Sequence, residues 1–271
     1  MKVCLIQNTI LMKEINITER AHKEIKKLFS YRNQVNTLHN DPELTQVFDN
    51  FAFDESLKLT EGPVLEQTRV MCILASTIGC NAKTEFKLHV DACLNVGIKP
   101  SIIREIVYQA VPYVGFSRVV DYIPIMNEVF ANNDIRLPLH DHSTTTREDR
   151  VQKGKETIDA IFGQGTVDNM LATSPKGQEH IVEFLEGYCF GDFYTRTGID
   201  LQHRELITFC LLASMGGCET QLHSHAVGNK NVGTTKTEMI AAVTAMLPWI
   251  GFPRSLNALA VINSAYAEKL I

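Results

Sequence analysis

Apolar residues recur at three- and four-residue steps along most of this chain. That is the spacing of helices with one face turned inward. Asp41-Pro42-Glu43 places an N-cap residue, a proline and an acid at a helix start. Leu44, Val47, Phe48 and Phe51 then follow at helical intervals. Val70 to Thr77 and Glu205 to Ser214 are nearly continuous apolar runs. Their length and flanks suit buried helices, although a run of this kind does not by itself exclude a strand. Glu85 to Asn95 reads as a helix closed by Gly97 at the C′ position. Lys99-Pro100-Ser101 and Thr234-Thr235 cap the next helices, which are expected to run to Pro112 and Pro248. Long alternating patterns are absent, and the reading is all-α.

The pattern repeats. Glu85 to Gly97 (EFKLHVDACLNVG) and Gln221 to Gly233 (QLHSHAVGNKNVG) share one frame, offset by 221 − 85 = 136 residues. Pro112–Arg118 (PYVGFSR) falls on Pro248–Arg254 (PWIGFPR) at the same offset, and Asn127 on Asn263. Upstream, Gln67–Arg69 meets Gln202–Arg204 at an offset of 135, and the segment before Ser30 meets the segment before Gly163 near 133. The expected organisation is two similar helical units, 1–135 and 136–271. The polar stretch Asn132 to Thr146 would link them and feed a helix starting near Arg147.

Composition narrows the function classes. The chain has 271 residues and a net charge of −5, long enough to bury a full core without staples. No basic footprint for nucleic acid or polybasic membrane patch is present. No run reaches the ~20 apolar residues of a membrane-spanning helix. The N-terminal residues lack the pattern of a secretory signal. Seven cysteines with no C-x-x-C fit free thiols in a reducing compartment. The expected location is the cytoplasm.

Candidate chemistry follows from the repeat. Residues four apart share a helix face, so Glu85 stacks with His89 and Gln221 with His225. A carboxylate beside an imidazole can orient it for proton transfer, which an amide cannot do in the same way. Arg69 and Arg204 open the apolar runs, and Arg118 and Arg254 follow the Gly-Phe turns. Each can bind a carboxylate ligand or pair with a helix C-terminus or an internal acid. Cys218 precedes His225 by seven residues, two helical turns, with His223 between them. A thiol near a helix N-terminus and histidines can have a lowered pKa, and the same thiol can be a small buried hydrophobe. His140-Asp141-His142 lacks a third convergent ligand in sequence, and no metal site is assigned.

The motifs Glu-Phe-x-x-His-x5-Asn-x-Gly and [Tyr/Trp]-x-Gly-Phe-x-Arg resemble the carboxymuconolactone decarboxylase family, which includes the AhpD-like proteins. Both halves carry the frame, with Gln221 in place of the acid in the second. The resemblance implies helical units assembling into rings, here a trimer of tandem chains with six pseudo-equivalent units. It implies no organic cofactor or metal for the decarboxylase branch, a small-molecule substrate, and sites around the histidine helix. In that branch Glu85 and His89 would move the proton, with Arg69 or Arg118 holding acidic groups. The thiol branch uses C-x-x-C followed by histidine. Here only Cys218 holds the first cysteine's place, while Glu85 and Gln221 stand at the second. Glu205 resembles the acid of that branch's proton relay, and its first-unit counterpart is Val70. Three functions stand: a decarboxylase working through Glu85 and His89, a peroxide or disulfide reductase using Cys218, and a non-catalytic ring-forming binding protein. The first is favoured, with the first unit expected to keep the acid–base pair.

Overall fold

The computed structural model describes residues 16–29 and 41–267. The regular elements among the described residues are all helices, with no strand beyond an isolated bridge between Glu61 and Val64. The first half holds α1 (Glu19–Leu28), α2 (Pro42–Asn50), a π-helical segment Phe51–Glu55, α3 (Ser56–Thr60), α4 (Glu66–Gly79), α5 (Lys83–Asn95), α6 (Pro100–Val114), α7 (Phe116–Val119) and α8 (Tyr122–Asn132). The second half holds α9 (Arg150–Phe162), α10 (Thr166–Thr173), α11 (Glu179–Phe184), a π-helical segment Leu185–Tyr194, α12 (Leu201–Met215), α13 (Glu219–Asn231), α14 (Lys236–Ile250) and α15 (Phe252–Ala267). The order from α4 to α6 recurs as α12 to α14.

Both apolar runs are helices, α4 and α12, and both are buried almost from end to end. They pack side by side in parallel. Thr68 Oγ1 lies 3.3 Å from His203 Nε2 near their starts. Near their ends a Cβ added to Gly79 would lie 2.6 Å from Ser214 Cβ and 2.7 Å from the Leu211 carbonyl oxygen. Only a glycine lets the two backbones come that close. One apolar core surrounds this pair and draws on both halves, with Leu74, Phe86 and Ile106 from the first and Phe209, Val243 and Ile262 from the second. A smaller cluster of Ile158, Ile161, Val182 and Phe190 lies under α9 and the second π-helical segment.

Helix ends follow the local chemistry. Thr235 and Glu238 form a reciprocal capping box at the start of α14. Gly97 (φ +80°) and Gly233 (φ +98°) close α5 and α13 in the left-handed region. Pro112 and Pro248 do not end their helices. Each sits inside the last turn, and α6 and α14 stop at Gly115 and Gly251. The helix expected near Arg147 begins at Arg150, because the Asp149 carboxylate accepts from the Thr146 amide and forms a turn first. Leu44 and Val47 on α2 face solvent, so only part of that apolar stripe enters the core. The stretch after α8 is anchored: Arg104 donates to the Leu139 and His140 carbonyls, and Thr197 N–H donates to the His142 carbonyl at 3.0 Å. No helix among the described residues is long and apolar enough to cross a membrane.

Candidate functional site

The frame places its two histidines on α5 and α13 in matching settings. His89 lies between Phe29 and Trp249, with ring centroids 5.5 and 5.1 Å away. His225 lies between Phe162 and Tyr113, at 5.7 and 5.2 Å. Tyr113 and Trp249 occupy equivalent positions, 249 − 113 = 136. Each half therefore lends an aromatic ring to the other half's histidine.

The polar partners differ. Glu85 and His89 share a face of α5, but the carboxylate oxygen is 3.8 Å from His89 Nδ1, too far for a hydrogen bond. That nitrogen instead donates to the Glu85 carbonyl oxygen at 2.8 Å. The Glu85 carboxylate, about a third exposed, accepts from the Trp249 indole at 3.0 Å. The expected acid–base pair of the first unit is thus a loose one. Behind His89 is a small cavity whose lining mixes Val70, Ile73, Ala245 and Trp249 with the paired Glu24 and Arg69.

On α13, Gln221 is exposed and does not serve His225. His225 Nδ1 donates to Glu205 Oε2 at 2.9 Å, across from α13 to α12. Glu205 is fully buried, and its other oxygen accepts from the Tyr194 hydroxyl at 2.7 Å. The contact is close enough that a Cβ on Gly228 would meet Glu205 Oε2 at 2.4 Å. Because the carboxylate can only accept, it fixes the imidazole proton on Nδ1 and leaves Nε2 with the lone pair. His225 retains 7% of its surface.

Sequence reasoning named Glu205 and His225 separately but missed that they meet. It also missed Tyr194, Tyr113, Thr208 and Gln109. Thr208 was visible as a hydroxyl inside an apolar run, and Tyr113 as an aromatic held at the same place in both halves.

The four arginines are committed to protein groups. Arg69 pairs with Glu24 at 2.7 Å. Arg118 donates to the Gly79 carbonyl at 2.9 Å, at the C-terminus of α4. Arg204 is fully buried and bonds Gln109, Glu105 and the Arg196 carbonyl. Arg254 donates to Cys80 Sγ at 3.3 Å. These are the structural pairings left open by the sequence, and no arginine of the four is set aside for a ligand.

Cys218 is the N-cap residue of α13, just outside the helix. Its thiol turns back to the Leu212 carbonyl at 3.4 Å, and it lines a small recess with Arg254, Glu219 and Leu222. Burial, with Glu219 beside it, pushes its pKa up. The lowered pKa that a reactive thiol would need is not produced here. His223 is half-buried on α13. His142 Nδ1 is bonded to Thr197 Oγ1 at 2.8 Å, and no cluster of three His, Cys, Asp or Glu side chains converges among the described residues.

Residues 179–264 match the carboxymuconolactone decarboxylase family. The chain is 23% identical over 121 residues to the 4-carboxymuconolactone decarboxylase of Acinetobacter baylyi, which covers 45% of this chain and 90% of that protein. A crystal structure of a provisionally named gamma-carboxymuconolactone decarboxylase subunit from Burkholderia xenovorans LB400 superimposes with a TM-score of 0.52 at 18% identity. It covers 94% of this chain and 99% of the other, and at that identity it speaks for the fold alone. The likeness to the carboxymuconolactone decarboxylase family is carried by residues 179–264, the C-terminal region that holds α12, α13 and His225.

Proposed function

We propose that this protein is a cofactor-free carbon–carbon lyase that removes carbon dioxide from a small carboxylated lactone or related acid. His225 is the proton-transferring group, and Glu205 orients it and stabilises its charged form. Loss of carbon dioxide leaves an electron pair on the substrate carbon. His225 Nε2 in its protonated form delivers a proton there, and the imidazole regains one from solvent. The buried carboxylate offsets the imidazolium charge while the proton waits.

The observation that carries this reading is the 2.9 Å bond between His225 Nδ1 and Glu205 Oε2. The family match and the relative named as a decarboxylase support the reaction class. The reading takes 1–135 and 136–271 as two copies of one unit, supported by the recurring helix order, and assembly as a trimer of chains. The raised thiol of Cys218 speaks against reductase chemistry. The test is release of carbon dioxide from a panel of carboxylated lactones by wild type, Glu205→Gln and Cys218→Ser. Turnover that survives Cys218→Ser and is lost in Glu205→Gln supports the proposal. Turnover that survives Glu205→Gln sinks it.

A further inference from the structure

A chain of buried hydrogen bonds converges on Glu205, and every donor in it points the same way. Arg204 Nη1 donates to Gln109 Oε1 at 2.9 Å. Gln109 Nε2 donates to Thr208 Oγ1 at 3.1 Å. Thr208 Oγ1 lies 2.9 Å from the Tyr194 hydroxyl, which donates to Glu205 Oε1 at 2.7 Å. Because the Tyr194 proton is committed to the carboxylate, Thr208 must donate to the phenolic oxygen. Tyr113 O–H fills the second lone pair on that oxygen, at 3.0 Å. The chain starts at a cation and ends at an anion, and such aligned bonds polarise one another.

We propose that Tyr194, fed by Tyr113 and Thr208, is a positioning residue that holds the Glu205 carboxylate aimed at His225. The proposal rests on the reading of Glu205 and His225 as the reacting pair and adds what holds that pair in place. Gln109 and Tyr113 both lie on α6, so the first half supplies part of the second half's relay. Loss of a donor to a buried carboxylate favours its protonated form, so the pair takes up its proton more readily when Tyr194 is silenced.

The groups facing the pair are few. Tyr113 comes from α6, and Tyr194 and Cys189 come from the second π-helical segment, with Cys189 Sγ 3.7 Å from the Tyr113 oxygen. α9 contributes the uncharged Phe162. Burial, with Glu205 and Cys189 next in effect, raises the Tyr194 phenol well above its ordinary value. Burial also raises the Tyr113 phenol and lifts the Cys189 thiol to about 12. All three therefore stay neutral donors across the working range of a histidine.

The experiment is a titration of His225 by its imidazole nitrogen shifts in the intact protein, in wild type, Tyr194→Phe and Tyr113→Phe. The first protonation of the coupled pair is expected to move up by about half a pH unit or more in Tyr194→Phe, and less in the same direction in Tyr113→Phe. In turnover, kcat is expected to fall and its acidic limb to move the same way, with KM unchanged. An unmoved or lowered midpoint in Tyr194→Phe overturns the proposal. If that variant does not fold, an unmoved midpoint in Tyr113→Phe overturns it. A midpoint that moves while Glu205→Gln leaves turnover intact keeps the positioning role and removes the lyase reading. A fixed midpoint with turnover lost in Glu205→Gln does the reverse.

Discussion

His89 and His225 hold the same place in two copies of one frame, and their surroundings have gone opposite ways. Around His89 the neighbouring positions are Val70, Ile73, Ala245 and Trp249. The equivalent positions around His225 are Glu205, Thr208, Gln109 and Tyr113, at offsets of 135 and 136. The first set is apolar, in a small cavity that Glu24 and Arg69 also line, and the second is a hydrogen-bonded polar network. Even the glycine follows the rule. Gly228 leaves room for the Glu205 carboxylate, while in the first half, where Val70 stands in place of Glu205, the equivalent residue is the fully buried Ala92. The lesson is that a shared fold does not carry shared chemistry. Four substitutions around an unchanged histidine decide whether an acid on the neighbouring helix bonds its Nδ1, as at His225, or the helix's own carbonyl does, as at His89.

The largest expected effect tests the difference directly. Glu205→Gln should lower carbon dioxide release by about 10²–10⁴-fold, the usual range for losing assisted proton transfer. Glu85→Gln should keep most of the rate, because an amide oxygen can still accept from Trp249. Equal losses in the two variants, measured at saturating substrate, would erase the contrast between the sites.

A second test moves the acid. Val70→Glu buries a carboxylate near Glu24, where Ile73 and Ala245 offer no donor, Arg69 is already paired with Glu24 and the Trp249 indole is given to Glu85. Urea denaturation should show a loss of about 2–4 kcal/mol. Adding Ile73→Thr and Ala245→Gln should recover part of it. If Val70→Glu alone unfolds at the wild-type midpoint, the first site tolerates an acid without the network and the comparison loses its physical basis.

Gly228→Ala comes next. The added methyl would press on Glu205 Oε2, Ile161 and the Phe162 ring. Overpacking of this kind should cost about 1–3 kcal/mol, despite alanine's better helix propensity. A thermal melt at or above wild type would show that α13 has slack against α12.

The smallest effect concerns the thiol. Since burial raises Cys218, the thiolate forms only as pH climbs past the ~8.5 of a free cysteine. Alkylation followed by mass spectrometry should therefore stay slow at neutral pH and accelerate only in alkali. Fast labelling at pH 7 would return the reductase reading to contention.

Much of the fold was legible because it is written locally. Apolar runs marked α4 and α12 without by themselves excluding a strand, the repeated histidine frame marked α5 and α13, and Gly97 marked where α5 ends. The repeated frame at Glu85–Gly97 and Gln221–Gly233 was legible from residue spacing alone. The π-helical segments were not, since one extra residue per turn leaves no signature in an apolar count. Their absence hid Tyr194 and Cys189. The site was half legible. The frame singled out both histidines, and the family resemblance singled out Glu205 as the acid of a proton relay. Intrahelical spacing then pointed His225 at Gln221, which faces solvent.

The sequence by itself determined the helices, their repetition and the position of each histidine, because those depend on neighbours within a few residues along the chain. The tertiary structure alone decided which groups the histidines meet. The bond from His225 to Glu205 spans 20 residues, and the reach from Tyr113 to Tyr194 spans 81. Both exist only because α12 and α13 pack together and α6 of the first half closes over them, and such contacts are fixed by side-chain fit between helices, which no periodicity records.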